Sequence, residues 1–410
     1  VGYGSALTEV THEGVKLGIQ EIPALTEAKL WIYDLVTNDR YPIPNHPPGV
    51  IDRQPDWLDN DTVVFASNAG DTYPYRNQFP LHQGPGRCFA APECVSQEYG
   101  YGPTGRSLQI WSMDIDGTDA RNLTPHEQMA LSPAVLTNGD ILYSCWNAHG
   151  NHSFDAATSV GPSTSKNKWW LCRMDGNGAD STVILNGHKS PTLKSRAWLT
   201  DIKGGEGETQ LRALRSVAEI FKGKLAVTNY YRGNHVGSMG IVFGMDYGDP
   251  HVEGCSTEAC YTDGIYRSTR PGSGRYIPST LRTITPYGTD QDMNVRRHVD
   301  GRAAGKAGYP APLSSTEFLI THARGSCYEV TPNSEANLDW TGGEPTCQKA
   351  IYKVKVPMVT NPFDTNQMEM VAGGDEWQAY DARAVTTYQA IYGQSAPKRP
   401  PALDTGKGCF

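Results

Sequence analysis

The residues most suited to chemistry are four histidines, each of which follows a stretch with the composition of a β-strand. His149 and His152 lie close together in one such position, His235 lies in a second, and His322 comes directly after 318–321. If these strand ends share a face, the imidazoles could converge and bind Cu, Fe or Zn. In the alternative, the rings bond to loop backbone or face solvent. The sequence predicts a transition-metal site at these four residues and leaves that alternative open.

Other catalytic patterns are missing from the sequence. It contains no Gly-x-Ser-x-Gly, phosphate-binding loop or dinucleotide fingerprint, and no Cys-x-x-Cys-His motif for covalent haem. The stretch Asp114-Ile-Asp116-Gly117 is similar to the start of a calcium loop but lacks the further ligands of one. It therefore favours a plain hairpin turn, with calcium left open as a ligand. No catalytic residue is assigned.

The nine cysteines favour an oxidising compartment. Six of them form locally spaced pairs within loop-like stretches, namely Cys88 with Cys94, Cys255 with Cys260, and Cys327 with Cys347. The Cys-x-x-Cys spacing of zinc sites is absent, so we predict three local disulfides. Cys145 and Cys172 lie in apolar strands and are either buried thiols or a fourth bridge. Cys409 is left to pair with another chain or with residues beyond this sequence.

Charge and hydropathy restrict the partners. The formal charge of −8 and the scattered basic residues argue against nucleic-acid binding. No stretch approaches the roughly 18 to 20 apolar residues that span a bilayer, so no membrane span is expected. The sequence begins at Val1, which we interpret as a processed chain or a piece of a longer one. A processed chain with nine cysteines is typical of an oxidising compartment, so we predict a secreted, periplasmic or extracellular protein.

Two half-units repeat along the chain. The first is an apolar strand that ends in an acidic turn; it occurs at 30–34, 110–114, 171–175 and 241–246, and weakly at 351–354. The second is a short turn followed by a β-branched or aromatic strand, at 57–65, 135–143, 220–227 and 313–320. Alternation of the two gives about four strands per unit, which is the content of a propeller blade.

These repeats predict an all-β fold, a β-propeller with six blades, five or seven being the alternatives. The strand at 14–19 and a C-terminal strand at 384–388 are expected to complete the closing blade. The segments 70–106, 150–168 and 250–307 are predicted to be long insertions on one face, the first and the last of them disulfide-bearing. We predict a single propeller domain over 1–394 and a proline-rich strap or linker over 395–410.

The stretch 113–124, Met-Asp-x-Asp-Gly followed by Leu-Thr, resembles the repeat of TolB-like six-bladed propellers. A narrower resemblance, over roughly 28–402, is to the propeller region of proteins related to the hydrazine synthase α-subunit. It rests on 135–146, 212–217, 237–241, 308–314 and the proline-rich 397–401. The resemblance implies the propeller fold and secretion. It does not imply hydrazine chemistry, because the haem-binding motifs of that family are absent here.

Two functions follow as hypotheses. The favoured one is a non-catalytic scaffold or protein-binding subunit of an extracellular or periplasmic assembly, docked onto a partner such as a c-type cytochrome or onto copies of itself. Tyrosines in the predicted insertions could form its binding surface or could pack the insertions onto the sheets. The other is a metal-dependent oxidoreductase that uses the four histidines on the propeller axis.

Overall fold

The fold is described from a computed structural model of the chain. The description covers the following residues: 6–12, 15–21, 27–69, 108–125, 129–147, 168–185, 213–230, 239–248, 260–262, 265–267, 278, 280–288, 298–325, 348–374 and 378–402.

The described part is nearly all β-structure, with one short helix. The strands in chain order are β1 (Ala6–His12), β2 (Val15–Glu21), β3 (Trp31–Tyr33), β4 (Arg40–Pro42), β5 (Asp52–Trp57), β6 (Thr62–Ser67), β7 (Gln109–Asp114), β8 (Arg121–Asn122), β9 (Ala130–Val135), β10 (Ile141–Asn147), β11 (Lys168–Met174), β12 (Thr182–Leu185), β13 (Ala213–Phe221), β14 (Lys224–Tyr230), β15 (Ile241–Asp246), β16 (Cys260–Thr262), β17 (Ile265–Arg267), β18 (Arg282–Thr283), β19 (His298–Val299), β20 (Arg302–Ala303), β21 (Lys306–Pro312), β22 (Phe318–Arg324), β23 (Gln348–Val354) and β24 (Met368–Gly373). The helix, α1, spans Tyr388–Tyr392.

Four units have the same strand order, which is four antiparallel strands joined in sequence. They are β5–β8, β9–β12, β13–β14–β15–β18 and β21–β24. This is the order of a propeller blade, and it confirms the four-stranded repeat that the half-units predict. Ahead of these sheets lie two separate hairpins, β1–β2 and β3–β4. The six-blade count stays a prediction.

The first strand of every sheet carries the same irregularity. Gln54, Ser132, Ser216 and Tyr309 all adopt a positive φ between 51° and 54°. At each of them the first strand has one residue more than the second strand with which it pairs. In the first sheet, for example, Arg53 pairs with Ala66 and Asp56 with Val64, so three steps along β5 lie opposite two steps along β6. These are β-bulges, which bend a strand and increase its twist.

Consecutive units are joined by one repeated backbone contact. The start of a third strand contacts the start of the next unit's first strand, at Leu108 with Ala130, Trp169 with Ala213, and Gly240 with Ala307. The residue Ala28, just before β3 of the hairpin, makes the corresponding contact with Ile51 ahead of the first sheet. The four contacts place the same end of every unit on one face. Since the second-to-third connections start at this end, all of them leave from this face, which we call the insertion face. The turns between first and second and between third and fourth strands lie on the opposite face, the turn face.

Apolar side chains fill the spaces between consecutive units. One cluster, between β3–β4 and the first sheet, contains Leu30, Ile43, Val63, Phe65 and Met113. The next three lie between neighbouring sheets and include Val64 with Tyr143, Leu142 with Phe243, and Val242 with Ile320. Each sheet therefore buries both of its faces, as stacked blades must.

Three expectations need correction. The stretch 384–388 is not a strand: it is irregular up to Thr387, which caps α1 with its side chain. The segment 250–307 is not one insertion, because it contains β18, the fourth strand of the third sheet. The third correction concerns the expectation that all insertions lie on one face. Residues 247–281 connect a third strand to a fourth, so this segment starts at the turn face and not at the insertion face. Segments 70–106 and 150–167 lie outside the described residues.

One predicted cysteine alternative is settled. Cys145 on β10 and Cys172 on β11 form a disulfide, with the Cα atoms 5.9 Å apart, inside the cluster between the first two sheets. The side chains of Cys88, Cys94, Cys255, Cys260, Cys327 and Cys347 lie outside the described residues, so the three local bridges stay predictions. In the described part, no helix is both long and apolar enough to cross a membrane.

The packing between units gives a test at two turn glycines. Gly117 has a φ of +80°, and a Cβ there would lie 2.3 Å from the carbonyl oxygen of Pro44; Gly223, at a φ of +72°, has nothing within 4 Å. We expect Gly117→Ala to lower the free energy of unfolding by about 2–4 kcal/mol, the sum of backbone strain and a steric clash. Gly223→Ala should cost only the strain, about 1 kcal/mol. Equal losses in denaturant unfolding would contradict the packing.

Candidate functional site

A buried histidine–carboxylate pair lies at the insertion face. His46 belongs to the connection from β4 to β5, and its Nδ1 is 2.9 Å from Oδ2 of Asp52, the first residue of β5. The two side chains are only 6% and 7% exposed. The carboxylate fixes the ring orientation, and when Nδ1 donates to it, Nε2 carries the lone pair. Nε2 is buried and has no hydrogen-bond partner among the residues that the structure describes.

The surroundings of Asp52 are polar and enclosed. Burial raises the pKa of the Asp52 carboxyl, while bonds from Ser67 and His46 act in the opposite direction. Next to Ser67, the side-chain oxygen of Asn68 accepts from the Ile51 amide at 2.7 Å, and its Nδ2 has no partner. Within the described ranges, Asp52 Oδ1 is a third buried atom without a hydrogen-bond partner. Unsatisfied buried polar atoms are costly, which makes this cluster unusual for a sheet edge.

The pair has the form used in proton transfer and in metal binding, in which a carboxylate orients an imidazole. A second carboxylate, Glu27, lies 3.8 Å from His46 Nε2 but is bound by Lys29 at 2.9 Å. Among the residues that the structure describes, no group of three or more His, Cys, Asp or Glu could hold a metal ion. In the present arrangement the cluster ties the β3–β4 hairpin to the first sheet.

Sequence reasoning missed this pair. His46 lies between prolines in 42–48, in a stretch that matches neither half-unit, and Asp52 opens a first strand without any recognisable motif. The usable signal was that Asp52 precedes the repeated bulge by two residues, which places it at the insertion face.

His322 lies within a strand and not at its exit. It is fully buried on β22, with its Nδ1 3.0 Å from the hydroxyl of Tyr287 and its ring edge-on to Tyr287 and Tyr352, with centroids 5.3 Å apart in both cases. Burial, with a smaller contribution from Arg324, lowers its pKa to about 3. The ring is therefore neutral and part of the core between the third and fourth sheets.

The other three predicted ligands, His149, His152 and His235, lie outside the described residues. The metal site therefore stays a prediction. Elemental analysis of protein purified without chelator would test it; we expect a transition metal near stoichiometry if the four histidines converge. A metal-free, colourless protein would contradict the site.

Near the turn face, two carboxylates bond to the backbone of a neighbouring unit. Asp56 on β5 accepts from the Val135 amide at 2.8 Å, and Glu219 on β13 accepts from the Thr137 amide at 2.6 Å. Burial raises the pKa of the Asp56 carboxyl, and the Val135 bond opposes this. Each carboxylate thus satisfies a backbone donor of a neighbouring unit and has a structural role. The turn at Asp114–Gly117 is a hairpin turn, as predicted: the Asp114 amide donates to the Thr118 carbonyl, and the Gly117 amide donates to the Asp114 carbonyl.

The most exposed apolar surface lies on the β3–β4 hairpin. Ten large hydrophobic residues are exposed in the described part of the chain, and five of these belong to the hairpin; we call these five the hairpin surface: Trp31, Tyr33, Leu35, Val36 and Tyr41. Trp31 is 57% exposed and Val36 94%. Ile32 packs against the first sheet from the other side. The hairpin is therefore anchored on the face of Ile32, which Tyr41 shares, and open on the face of Trp31 and Tyr33.

No protein-family model matches the sequence, and no curated protein matches it. The solved structures that match include TolB from Acinetobacter baumannii, with 9% identity over 87% of this chain and 51% of TolB, at a TM-score of 0.38. Kuenenia stuttgartiensis hydrazine synthase matches with 12% identity over 86% of this chain and 42% of its own, at a TM-score of 0.33. An oligogalacturonate lyase in complex with manganese matches with 12% identity over 72% of this chain and 50% of its own, at a TM-score of 0.30. The chain thus spans about half the length of these proteins. The scores are low, so the fold description rests on the strand order alone.

The burial of His322 predicts a loss of stability in acid. An unfolded histidine binds a proton near pH 6.5, but the folded ring stays neutral down to about pH 3. As the pH falls below 6.5, the unfolded chain is therefore favoured by up to about 1.4 kcal/mol per pH unit. We expect His322→Phe to reduce this slope in urea unfolding between pH 6.5 and 4.5. Thr321→Val, a neighbouring change without a titrating group, should leave it unaltered; identical slopes in all three proteins would contradict the assignment.

Proposed function

We propose that this chain is a secreted propeller-type scaffold that binds another protein through its β3–β4 hairpin, as a subunit of an extracellular or periplasmic assembly. The observation that carries the proposal is the hairpin surface, with five exposed large apolar side chains within 31–41. Exposed apolar patches mark interaction sites, and Trp31 and Tyr33, two residues apart on β3, lie on the same face of the hairpin. Trp and Tyr are also the residues that most often contribute binding energy at interfaces.

The backbone of the hairpin supports the same function. In the described part of the chain β3 pairs only with β4, whereas the third strand of each of the four sheets pairs with strands on both sides. An extended segment of a partner could therefore add to β3 by backbone hydrogen bonds. The adjoining side chains Trp31 and Tyr33 would then lie beside the added strand.

Secretion is supported by the Cys145–Cys172 disulfide, because disulfides form and persist in oxidising compartments. The resemblance of the repeats to periplasmic propellers is in agreement with this. The partner is proposed to be a protein, for which a c-type cytochrome or a second copy are the two forms to be distinguished.

Light scattering of the natively purified protein tests the proposal. The chain has a mass of 44.8 kDa, and we expect a larger particle. A mass that is a multiple of 44.8 kDa would indicate copies of the chain, and any other larger mass a different protein. The double variant Trp31→Ser/Tyr33→Ser should release the monomer, since it removes two aromatic contacts.

The matched control is Trp57→Ser. Trp57 is 49% exposed, close to the 57% of Trp31, but it lies at the end of β5 on the turn face. This variant should keep the larger particle. A bare monomer of the unaltered protein, or equal dissociation in both variants, would overturn the proposal.

A further inference from the structure

The C-terminal segment crosses the units in the reverse of their chain order. Ala379 donates to the Lys349 carbonyl in the fourth sheet at 3.0 Å. Further along, the Tyr392 hydroxyl donates to the Glu219 carbonyl in the third sheet at 2.6 Å, and Gln394 donates to the Thr137 carbonyl in the second at 3.0 Å. Arg399 then reaches the first sheet, where its backbone amide and side chain bond to Asp59 and Asp114. The segment therefore contacts all four sheets within 379–401.

Arg399 makes the densest of these contacts. Its Nη1 is 3.0 Å from Asp114 and 3.2 Å from Asp119, its Nη2 is 3.2 Å from the Ser112 hydroxyl, and its backbone amide is 3.3 Å from Asp59. The side chain is only 15% exposed. Charge-assisted bonds to several carboxylates in a half-enclosed place are stronger than a surface ion pair. Lys398 beside it is exposed.

The prolines on either side of Arg399 fit against glycines of the turn face. A Cβ on Gly176 would lie 2.8 Å from Pro400 Cδ, and one on Gly139 would lie 3.5 Å from Pro397 Cβ. The Asn177 side chain donates to the Pro401 carbonyl at 3.0 Å. Proline restricts an extended chain in advance, so such a segment loses little entropy when it docks.

We propose that the turn face is a docking groove for a proline-rich segment with an arginine, that residues 392–401 of the 379–401 clasp occupy it, and that Arg399 locks this clasp. The groove has two recognition elements, which are the turn carboxylates Asp59, Asp114 and Asp119 and the glycines that admit the prolines. The clasp connects the first sheet to the last across the turn face.

Hydrogen exchange of the full chain tests the lock. In Arg399→Gln the amides of 387–399 should exchange at least about tenfold faster, because the bonds to the two carboxylates are lost. Lys398→Gln, the matched control at the next position, should exchange like the unaltered protein. Arg399→Lys should lie between the two, since an ammonium cannot reproduce the planar fork of the guanidinium.

A second measurement tests the groove itself. A labelled peptide with the sequence of 390–402 should bind the Arg399→Gln chain at least about tenfold more tightly than the unaltered chain, whose groove is occupied. The same peptide with glutamine in place of its arginine should not bind. Unchanged exchange in Arg399→Gln, an equal increase in Lys398→Gln, or peptide binding that ignores the arginine would overturn the proposal.

Discussion

The structure depends on burying both faces of every sheet against its neighbours. A four-stranded antiparallel sheet with apolar residues on both faces cannot be stable alone, and here the clusters between units contain almost all the large buried side chains. The backbone contact between the start of a third strand and the start of the next first strand keeps the units in register. Because this contact recurs at every junction, one end of each unit faces the insertions and the other faces the clasp.

The bulged first strands show what close packing of the units requires of the backbone. A non-glycine residue at positive φ costs about 1–2 kcal/mol, and the four first strands all bear that cost at the same position. The bulges create contacts between units in return: the Gln54 side chain accepts from the Ser132 amide at 3.0 Å, and Thr228 accepts from the Tyr309 amide at 3.0 Å. Such strain persists only where the surrounding structure compensates for it.

Much of the fold could be predicted from the sequence, because the repeated half-units coincide with real elements. The apolar stretches at 110–114 and 171–175 are third strands, and the Leu-Thr pair at 123–124 places the Thr124 hydroxyl where it accepts from the Ile110 amide at 2.9 Å. What failed depends on tertiary contacts: the stretch 384–388 has the composition of a strand, but Thr387 starts a helix there. His322 follows an apolar run, and this position predicted that it lies where the strand ends. The strand β22 instead continues to Arg324. The His46–Asp52 pair arises from a connection between units, which no local pattern can show.

The two ends of the row of units differ in how their outer faces are covered. At the last sheet, Ala379, Ala382 and Ala384 of the clasp pack on Leu319 and Ile351. At the first hairpin, Trp31 and Tyr33 have no such cover from the described residues, although Ile32 between them is packed. Nine of the ten exposed large hydrophobic residues in the described part lie on the hairpin, the last strand or the clasp, and Trp57 is the exception. Large exposed apolar side chains are therefore concentrated at the ends of the row, where the described part of the chain supplies no neighbouring sheet. This is why a binding surface is expected at an end and not along the sheets between the ends.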